Sequence, residues 1–544
     1  MAGNPDPSNA IDNPGGTPAQ HLDHPPDQRP SRRTVLGALG LGTVGGLVAG
    51  AAAGAGIAAR GSAATGTTTG TTLGAADNVP SAQRVTVASW RATRGQHYFI
   101  AHRGSGDVYP EHSLDAYRAA LGAGAQCLEI SVVATSDGQL ICQHDLTYDR
   151  TTTATGPAAA QPSTILRSVA LRAPQLGPAW GENPLPRIAL LADALDLVRN
   201  RAVVCLEAKD DNAYPATIAM AERLGMRDSL IIKAFHASHR IAEAKKAGYP
   251  VFAYFGVPTD ITAPNVASTA SPLHPDSDYL VIPAYDSTTP DGYLAAEALR
   301  RCLDTRIPVW VYPVHRRADA VHFFSQGVAG VVTSSYPYVT SSAPSATADS
   351  WKYRAIAPGE MSLDPASATW APTWQDSDQL ALAARGGQHF MTLGQLSPIS
   401  AAQGSYSITF DAAFQATPTD SSANITLAFG HTDDRYYEHQ LGASTGYHAI
   451  QRADGRLELY AHIAGRTAGV PLGNTQQLAA PQAGEWMSFR LDVTPTSLAW
   501  SRDVGGSWTT ISATDRRIRG GYVHIGRSSH DGTAAFRRLT ITAA

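Results

Sequence analysis

The amino-acid sequence predicts an α/β TIM barrel followed by an all-β sandwich of the jelly-roll type. Between Tyr98 and about Tyr338, short apolar runs alternate with helical patterns, which is typical of repeated βα units. Beyond residue 350, segments of alternating polarity are separated by turn residues, which is typical of an antiparallel sandwich. At 544 residues the chain is also too long for one ordinary domain.

Residues 1–76 are expected to be a disordered N-terminus that runs into an export signal. The beginning of the chain is rich in proline and aspartate, and Arg32-Arg33 then precede a Gly/Ala-rich apolar stretch that reaches about Ala59. Paired arginines before a weakly hydrophobic segment indicate a twin-arginine-type signal, whereas the alternative, a transmembrane anchor, would favour leucine and isoleucine. We therefore expect the twin-arginine export machinery to deliver the protein to a secreted or extracytoplasmic (cell envelope) location. A lead-in segment over 77–97 follows the signal.

The barrel is predicted over 98–340 and a linker over 341–350. Nine apolar runs have the character of buried strands, and helical patterns such as SLDAYRAALGAG and SHRIAEAKKAG lie between several of them. The predicted strands are YFIAH, CLEISV, QLICQH, AVVCLEAK, SLIIKAF, VFAYF, YLVIP, IPVWVYP and GVVTS. A doubly wound sheet is the alternative, but polar residues at the ends of many different strands favour the barrel.

The sandwich is predicted over 351–544. Eight strand-like segments run from SYSITFDAAF to FRRLTITA, with turn pairs such as Asp454-Gly455 between them. The region weakly resembles laminin-G and concanavalin-like jelly rolls, which implies cell-wall carbohydrate as a ligand. Tyr436, Tyr437 and Trp508 are candidates for stacking on sugar rings, or alternatively for packing in the core.

Composition narrows the class of protein. The net charge of −4 gives no basic excess of the kind that a nucleic-acid binder shows, and four cysteines are too few for a disulfide scaffold. Cys127, Cys142 and Cys205 each precede a candidate site residue by two positions. Strand alternation therefore predicts each thiol on the same side as that residue, one layer deeper in the core, with a Cys127–Cys142 disulfide as the alternative.

Candidate site residues concentrate in the window 100–145. Two apolar runs end there in histidines, His102 and His144, and two glutamates, Glu111 and Glu129, lie between them. Histidines are suited to taking and giving protons near neutral pH, and carboxylates bind hard cations. The window therefore indicates acid and base chemistry on an anionic substrate with the help of a metal.

These residues and the strands after them resemble the glycerophosphodiester phosphodiesterase family, a TIM-barrel family, over about 99–337. The motifs stand in the family's order as His102-Arg103-Gly104, Pro110-Glu111-His112-Ser113, Glu129-Ile130-Ser131, His144-Asp145 and Glu207-Ala208-Lys209. The resemblance implies a hydrolase that converts a glycerophosphodiester to glycerol 3-phosphate and an alcohol, and the export signal makes it a secreted one.

The resemblance also implies three groups of site residues. The catalytic pair, general base and general acid, would be His102 and His144. The substrate phosphate would be held by Arg103 and Lys209. The ligands of a divalent cation, Mg²⁺ or Ca²⁺, would be Glu129, Glu207, Ser131 and, as a further candidate, Glu111.

Two positions depart from the family pattern. Ser131 stands where the family has aspartate, and His112 stands where it has asparagine. Loss of a carboxylate is expected to weaken metal binding by roughly 10–100-fold, the scale for perturbing a metal site's supporting shell. Two alternatives stay open: a phospholipase D-like enzyme that forms a cyclic phosphate, and a protein that binds phosphodiesters or wall polymers without turnover.

Overall fold

The structure is a computed structural model. It describes residues 84–93, 95, 97–106, 109–172, 186–286, 288–289, 292–341, 360–361, 372–375, 379–384, 388–395, 405–434, 445–466, 468–528 and 532–543. The predicted export signal, most of the predicted linker, and Tyr436 and Tyr437 lie outside these residues. Among the helices that are described, none has the length and hydropathy needed to cross a membrane.

Each of the nine predicted apolar runs forms a strand. These are β1 (Tyr98–Ala101), β2 (Cys127–Ala134), β3 (Leu140–Cys142), β4 (Val203–Ala208), β5 (Leu230–Phe235), β6 (Val251–Tyr254), β7 (Tyr279–Pro283), β8 (Val309–Val314) and β9 (Gly330–Thr333). Eight of them are parallel neighbours in the order β1-β9-β8-β7-β6-β5-β4-β2, and pairing of β1 with β2 closes the ring. The short β3 is antiparallel to β2 and stands outside the ring. The predicted TIM barrel is confirmed.

Helices lie between most of the barrel strands. They are α1 (Val87–Thr93), α2 (Leu114–Gly122), α3 (Leu191–Val198), α4 (Ala213–Arg223), α5 (Arg240–Lys246), α6 (Ala263–Ala270), α7 (Ala296–Leu303), α8 (Arg317–Ser325) and α9 (Tyr336–Val339). Ser113 begins α2 by accepting a hydrogen bond from the backbone N–H of Ala116, as an N-cap should. One apolar layer fills the space between these helices and the strands.

A second apolar cluster fills the inside of the barrel and is rich in aromatic rings. Trp310 lies at its centre, with its ring 4.0 Å from that of Tyr279 and 5.3 Å from that of Tyr98. A Cβ at Gly330 would come within 2.7 Å of Trp310, so β9 needs glycine where this ring passes. The interior is therefore a packed core.

The cysteines are core residues. Cys127 and Cys205 belong to the inner cluster, with their sulfur atoms 3.7 Å apart, and each lies two residues below a glutamate on its strand. Cys142 packs instead in the outer layer, between strands and helices. All four cysteines are free thiols, so the Cys127–Cys142 disulfide alternative is wrong.

The C-terminal region forms two antiparallel sheets, as predicted. One has the order β10 (Glu360–Met361), β13 (Gln388–Gln395), β23 (Tyr522–Ser528), β15 (Asn424–His431), β16 (Gly446–Arg452), β17 (Arg456–His462) and β18 (Val470–Pro471), with β19 (Gln476–Gln477) beside β17. The other has the order β11 (Pro372–Gln375), β12 (Gln379–Ala384), β24 (Gly532–Ala543), β14 (Tyr406–Phe414), β20 (Met487–Val493), β21 (Ser497–Val504) and β22 (Ser507–Thr514). Their inner faces share one apolar cluster, which makes the pair a sandwich.

A buried aspartate joins the sandwich to the barrel. Asp434, just after β15, accepts hydrogen bonds from the backbone N–H groups of Arg317 and Ala318 at 2.7 and 2.9 Å. It also accepts one from the Tyr338 hydroxyl at 2.9 Å. The carboxylate therefore satisfies N–H groups at the start of α8 that the helix itself leaves without partners.

Candidate functional site

The carboxyl ends of the barrel strands bring the predicted site residues together. Glu129 and Ser131 lie on β2, Glu207 lies on β4, and His102 follows β1 directly. The register pairs Ser131 with Glu207 across β2 and β4. Parallel strands present their carboxyl ends at one face of a barrel, which is where TIM-barrel enzymes carry their active sites.

The turn after β1 is strained. Arg103, Gly104 and Ser105 follow one another with φ of 54°, 75° and 75°, a region that side chains rarely enter. Gly104 is required there, because a Cβ would come within 2.8 Å of the Cβ of Ala116. Strain of this kind concentrates at functional sites, and here it leaves His102 and Arg103 buried at the end of the strand.

His102 is held between two strands. Its Nδ1 lies 2.7 Å from the hydroxyl of Ser334, just after β9, and its Nε2 lies 3.5 Å from Oε2 of Glu129. That Glu129 oxygen is buried and has no hydrogen-bond partner among the described residues. His102 and Glu129 line one small pocket, whose other walls include Phe252 and Tyr312.

His144 is held by a carboxylate that two arginines connect to the rest of the site. Its Nδ1 lies 2.7 Å from Oδ1 of Asp145, and Arg150 donates to both oxygens of Asp145. Arg150 also donates to both oxygens of Glu111, at 2.7 and 2.8 Å. Arg103 reaches the same glutamate at 3.3 Å, so these five side chains form one connected network.

Glu111 was a further candidate for a metal ligand, and its contacts do not support that role. Burial alone would raise the pKa of this carboxyl, but the guanidinium groups of Arg150 and Arg103 lower it well below its ordinary value. Both Glu111 oxygens are already taken up by these two cations. The carboxylate therefore orients the two arginines.

Deeper in the site, Glu129, Ser131, Glu207, Lys209 and Lys233 form what we call the lysine–carboxylate cluster. Lys233 Nζ donates to Glu129 Oε1 at 2.8 Å and to Glu207 Oε2 at 2.6 Å. Lys209 Nζ lies 3.2 Å from the other oxygen of Glu207, and Ser131 Oγ lies 3.4 Å from Oε2. All five side chains are buried.

The charges of this cluster hold one another in place. Burial opposes the charged form of Glu207, but the ammonium groups of Lys209 and Lys233 lower its pKa well below its ordinary value. Burial likewise disfavours the charge of Lys233, yet Glu129 and Glu207 raise the pKa of this lysine. Glu207 and Lys233 therefore both carry their charges at neutral pH.

His112, the second departure from the family pattern, is structural in its contacts. It is buried with φ of 57°, a left-handed conformation in which asparagine and histidine are both enriched. Its Nδ1 lies 2.8 Å from the Tyr117 hydroxyl, and burial lowers the pKa of His112 to about 3. The ring is therefore neutral and can fill the place of an asparagine.

Sequence reasoning missed three residues of the site. Lys233 was part of the predicted strand SLIIKAF, and a lysine inside an otherwise apolar strand was the signal that could have found it. Arg150 follows Asp145 by five residues, and a lone arginine in a loop carries no signal of its own. Ser334 gave no signal, because a serine after a strand is common in any loop.

A closed parallel barrel with histidines, arginines and paired carboxylates at the carboxyl ends of its strands defines a class of enzyme that acts on anionic substrates. Within that class, residues 102–335 match the model of the glycerophosphoryl diester phosphodiesterase family. The match is confined to the barrel domain and leaves the rest of the chain outside it. Members of the family are generally dependent on a divalent metal.

Several curated proteins are similar over part of the barrel. A glycerophosphodiester phosphodiesterase of Bacillus subtilis is 30% identical over 131 residues, which is 23% of this chain and 43% of that protein. The human glycerophosphodiester phosphodiesterase 1 is 41% identical over 78 residues, which is 14% of this chain and 23% of that protein. The chain thus spans less than half the length of each of these relatives.

Solved structures of phosphodiesterases are similar to part of this chain. A phosphodiesterase of Oleispira antarctica in complex with the product sn-glycerol-3-phosphate is 18% identical with a TM-score of 0.37, and covers 45% of this chain and 95% of its own. A glycerophosphodiester phosphodiesterase of Thermotoga maritima is 19% identical with a TM-score of 0.35, and covers 45% and 97%.

Proposed function

We propose that this protein hydrolyses glycerophosphodiesters to sn-glycerol 3-phosphate and an alcohol. The observation that carries the proposal is the way in which the two histidines are held. His102 and His144 are each held through Nδ1, by Ser334 and Asp145, which fixes the orientation of each ring and makes its Nε2 the candidate for proton transfer. The family of the barrel supplies the substrate class.

His102 is suited to be the general base. Its Nε2 takes the proton of the attacking hydroxyl while that oxygen forms a bond to phosphorus. The carboxylate of Glu129, 3.5 Å away, then stabilises the positive charge of the imidazolium. The attacking group is water, or the substrate's own adjacent hydroxyl.

His144 is suited to be the general acid. A carboxylate only accepts hydrogen bonds, so Nδ1 of His144 carries a hydrogen and donates a hydrogen bond to Asp145. The ring can then donate from Nε2 only when it is an imidazolium, which Asp145 stabilises. As the phosphorus–oxygen bond to the leaving group breaks, the Nε2 proton passes to the alkoxide, and the two histidines exchange protons with solvent afterwards.

The phosphate needs cations because a phosphodiester is anionic and repels an oxygen nucleophile. Arg103 and Lys209 are the candidates from the sequence, and the structure adds Arg150 beside Arg103 through their shared partner Glu111. Preorganised cations of this kind stabilise the charge that develops at phosphorus without reorganisation at the moment of reaction.

The set of residues predicted to bind Mg²⁺ or Ca²⁺ does not suit such a cation. It offers two carboxylates and a serine, and Lys233 Nζ lies within 2.8 Å of an oxygen of each carboxylate. Among the described residues, no group of three or more His, Cys, Asp or Glu side chains is placed to hold a metal ion.

The proposal is tested with the purified full chain and glycerophosphocholine, by coupling released sn-glycerol 3-phosphate to its dehydrogenase. H102A and H144A are each expected to lower kcat by about 10²–10⁴-fold, the contribution of a positioned acid or base. H274A, at a histidine whose side chain is 64% exposed on the barrel, is the matched control and should leave kcat unchanged. Full activity of either active-site variant would refute the assignment.

The same assay addresses the alternatives, which the comparisons do not favour. Phosphorus NMR of the products distinguishes a cyclic phosphate from the hydrolysed monoester. If no turnover occurs at any metal concentration, and S131D restores it, the natural chain is a binding protein.

We extend the proposal to export and to the sandwich. Arg32-Arg33 and the stretch after them support secretion through the twin-arginine machinery, and R32K/R33K should leave the protein in the cytoplasm.

The side chain of Trp508 on β22 is exposed, which supports a carbohydrate ligand of the cell wall for the sandwich domain. W508A should reduce retention of the full chain on cell-wall polysaccharide, whereas V321A, at an exposed apolar residue of the barrel, should not.

A further inference from the structure

The position between the two buried glutamates of the site is taken by an ammonium group of the protein itself. Lys233 projects from β5, and its Nζ bridges one oxygen of Glu129, at 2.8 Å, and one oxygen of Glu207, at 2.6 Å. The resemblance to the family implied a divalent cation held by these two carboxylates, at the carboxyl ends of β2 and β4. Here a lysine supplies that cation.

The surroundings of Lys233 match a permanent ammonium. Its Nζ lies 4.6 Å from the ring centre of Tyr254 and 5.7 Å from that of Phe252, which adds cation–π attraction from two sides. The Tyr254 hydroxyl donates to the second oxygen of Glu207 at 2.9 Å. The side chain is thus held by groups from several strands.

The charge of the cluster is balanced without any added ion. Two carboxylates, Glu129 and Glu207, face two ammonium groups, Lys209 and Lys233. Ser131 supplies a neutral hydroxyl where the family has a third carboxylate. A divalent cation placed here would meet two positive charges and only two negative ones, so its binding would be opposed.

The hydroxyl of Ser131 and the ammonium group of Lys233 fit one charge balance. An ammonium group carries one positive charge, whereas a divalent cation carries two. A lysine in place of the cation therefore means one positive charge fewer, and Ser131 in place of aspartate means one negative charge fewer. The two differences compensate each other in charge.

We propose that the Lys233 ammonium takes the place of the divalent cation, so that the protein cleaves phosphodiesters without a metal. The proposal rests on the proposed function for its substrate. An ammonium has three N–H donors, of which Glu129 and Glu207 receive two. Lys233 also lines the pocket beside His102, so the third donor is placed to hold an oxygen of the phosphate. An ammonium does not generate hydroxide as a metal does, so deprotonation of the nucleophile falls to His102 alone.

The first experiment measures metal binding, which does not depend on activity. The full chain is titrated with Mn²⁺ and free Mn²⁺ is followed by electron paramagnetic resonance. We expect no stoichiometric binding by the natural chain or by K246M, a control at an exposed lysine of α5. The double variant S131D/K233S should gain one Mn²⁺ site, because it restores the third carboxylate and removes the ammonium. One tightly bound Mn²⁺ per natural chain would overturn the proposal.

The second experiment measures turnover of glycerophosphocholine in excess EDTA. We expect the natural chain to keep its rate, and K233M to lose at least about 100-fold, in line with removal of one preorganised electrostatic donor. K233R keeps the charge and guards against a simple folding defect, so it should retain more activity than K233M. Loss of natural activity in EDTA with recovery on adding Mg²⁺ or Ca²⁺ would overturn the proposal.

The two experiments separate this proposal from the proposed function. If the natural chain is inactive with and without metal, the proposed function fails, and the Mn²⁺ titration still decides the role of Lys233. If it is active only with metal, the proposed function stands and the assignment of Lys233 fails.

Discussion

Asp145 offers a sharp test of the acid role of His144, because it can be changed without touching the catalytic ring. In D145N the carboxylate that stabilises the imidazolium is replaced by a neutral amide, while the shape of the side chain is kept. The present contact is 2.7 Å long, and a hydrogen bond to a charged partner contributes about 1.5–3 kcal/mol. Since Asp145 is 27% exposed, solvent screens part of this effect. We therefore expect kcat to fall by about 10–100-fold, at 1.36 kcal/mol for each factor of ten.

The assay is the steady-state release of sn-glycerol 3-phosphate, with kcat and KM determined separately. KM should change less than kcat, because Glu111 still holds Arg150 through both of its oxygens in D145N. D149N, at an exposed aspartate of the same loop, is the matched control and should behave as the natural chain. Unchanged kcat in D145N would refute the imidazolium mechanism, and a loss confined to KM would show that Asp145 acts on binding.

Three further expectations concern the arginine network, the junction and pH. E111Q should raise KM for the phosphodiester by about tenfold, as orientation of Arg103 and Arg150 is lost, and equal KM in kinetic assays would contradict this role. D434A should lower the free energy of unfolding by about 1–2 kcal/mol, since α8 loses the carboxylate that satisfies its first N–H groups, and urea denaturation will show whether it does. Burial lowers the pKa of His431 to about 4, so its contribution to stability is complete above its unfolded pKa and is lost as the pH falls from about 6.5 to 4. Over that range the free energy of unfolding measured in denaturation experiments should fall by about 3 kcal/mol. A fall of the same size in H431Q would contradict the assignment of this pH dependence to His431.

The fold could be predicted because buried strands and amphipathic helices leave periodic patterns. Every apolar run named from the barrel sequence is a strand, and the eight segments named in the sandwich coincide with β14 to β17, β20, β21, β23 and β24. The strand SWTTISAT, β22, was missed because its exposed, serine- and threonine-rich sequence carries little apolar alternation.

The site could be predicted only where it lies within local motifs. His102 and His144, the proposed base and acid, stand in short sequences that are recognisable alone. Lys233 is different, because its partners Glu129 and Glu207 are 104 and 26 residues away and meet it only when the barrel closes. A lysine in an apolar strand signals an unusual position but not its partners, so its place between two carboxylates could be seen only in three dimensions.

The most direct test of the account is the rate of sn-glycerol 3-phosphate release from glycerophosphocholine by the full chain in excess EDTA, measured beside H144A. We expect sustained hydrolysis by the natural chain and a loss of about 10²–10⁴-fold in H144A, the size of a general-acid contribution. Hydrolysis that stops in EDTA and returns with Mg²⁺ or Ca²⁺ would contradict the role of Lys233. Absence of hydrolysis under both conditions would contradict the proposed activity itself.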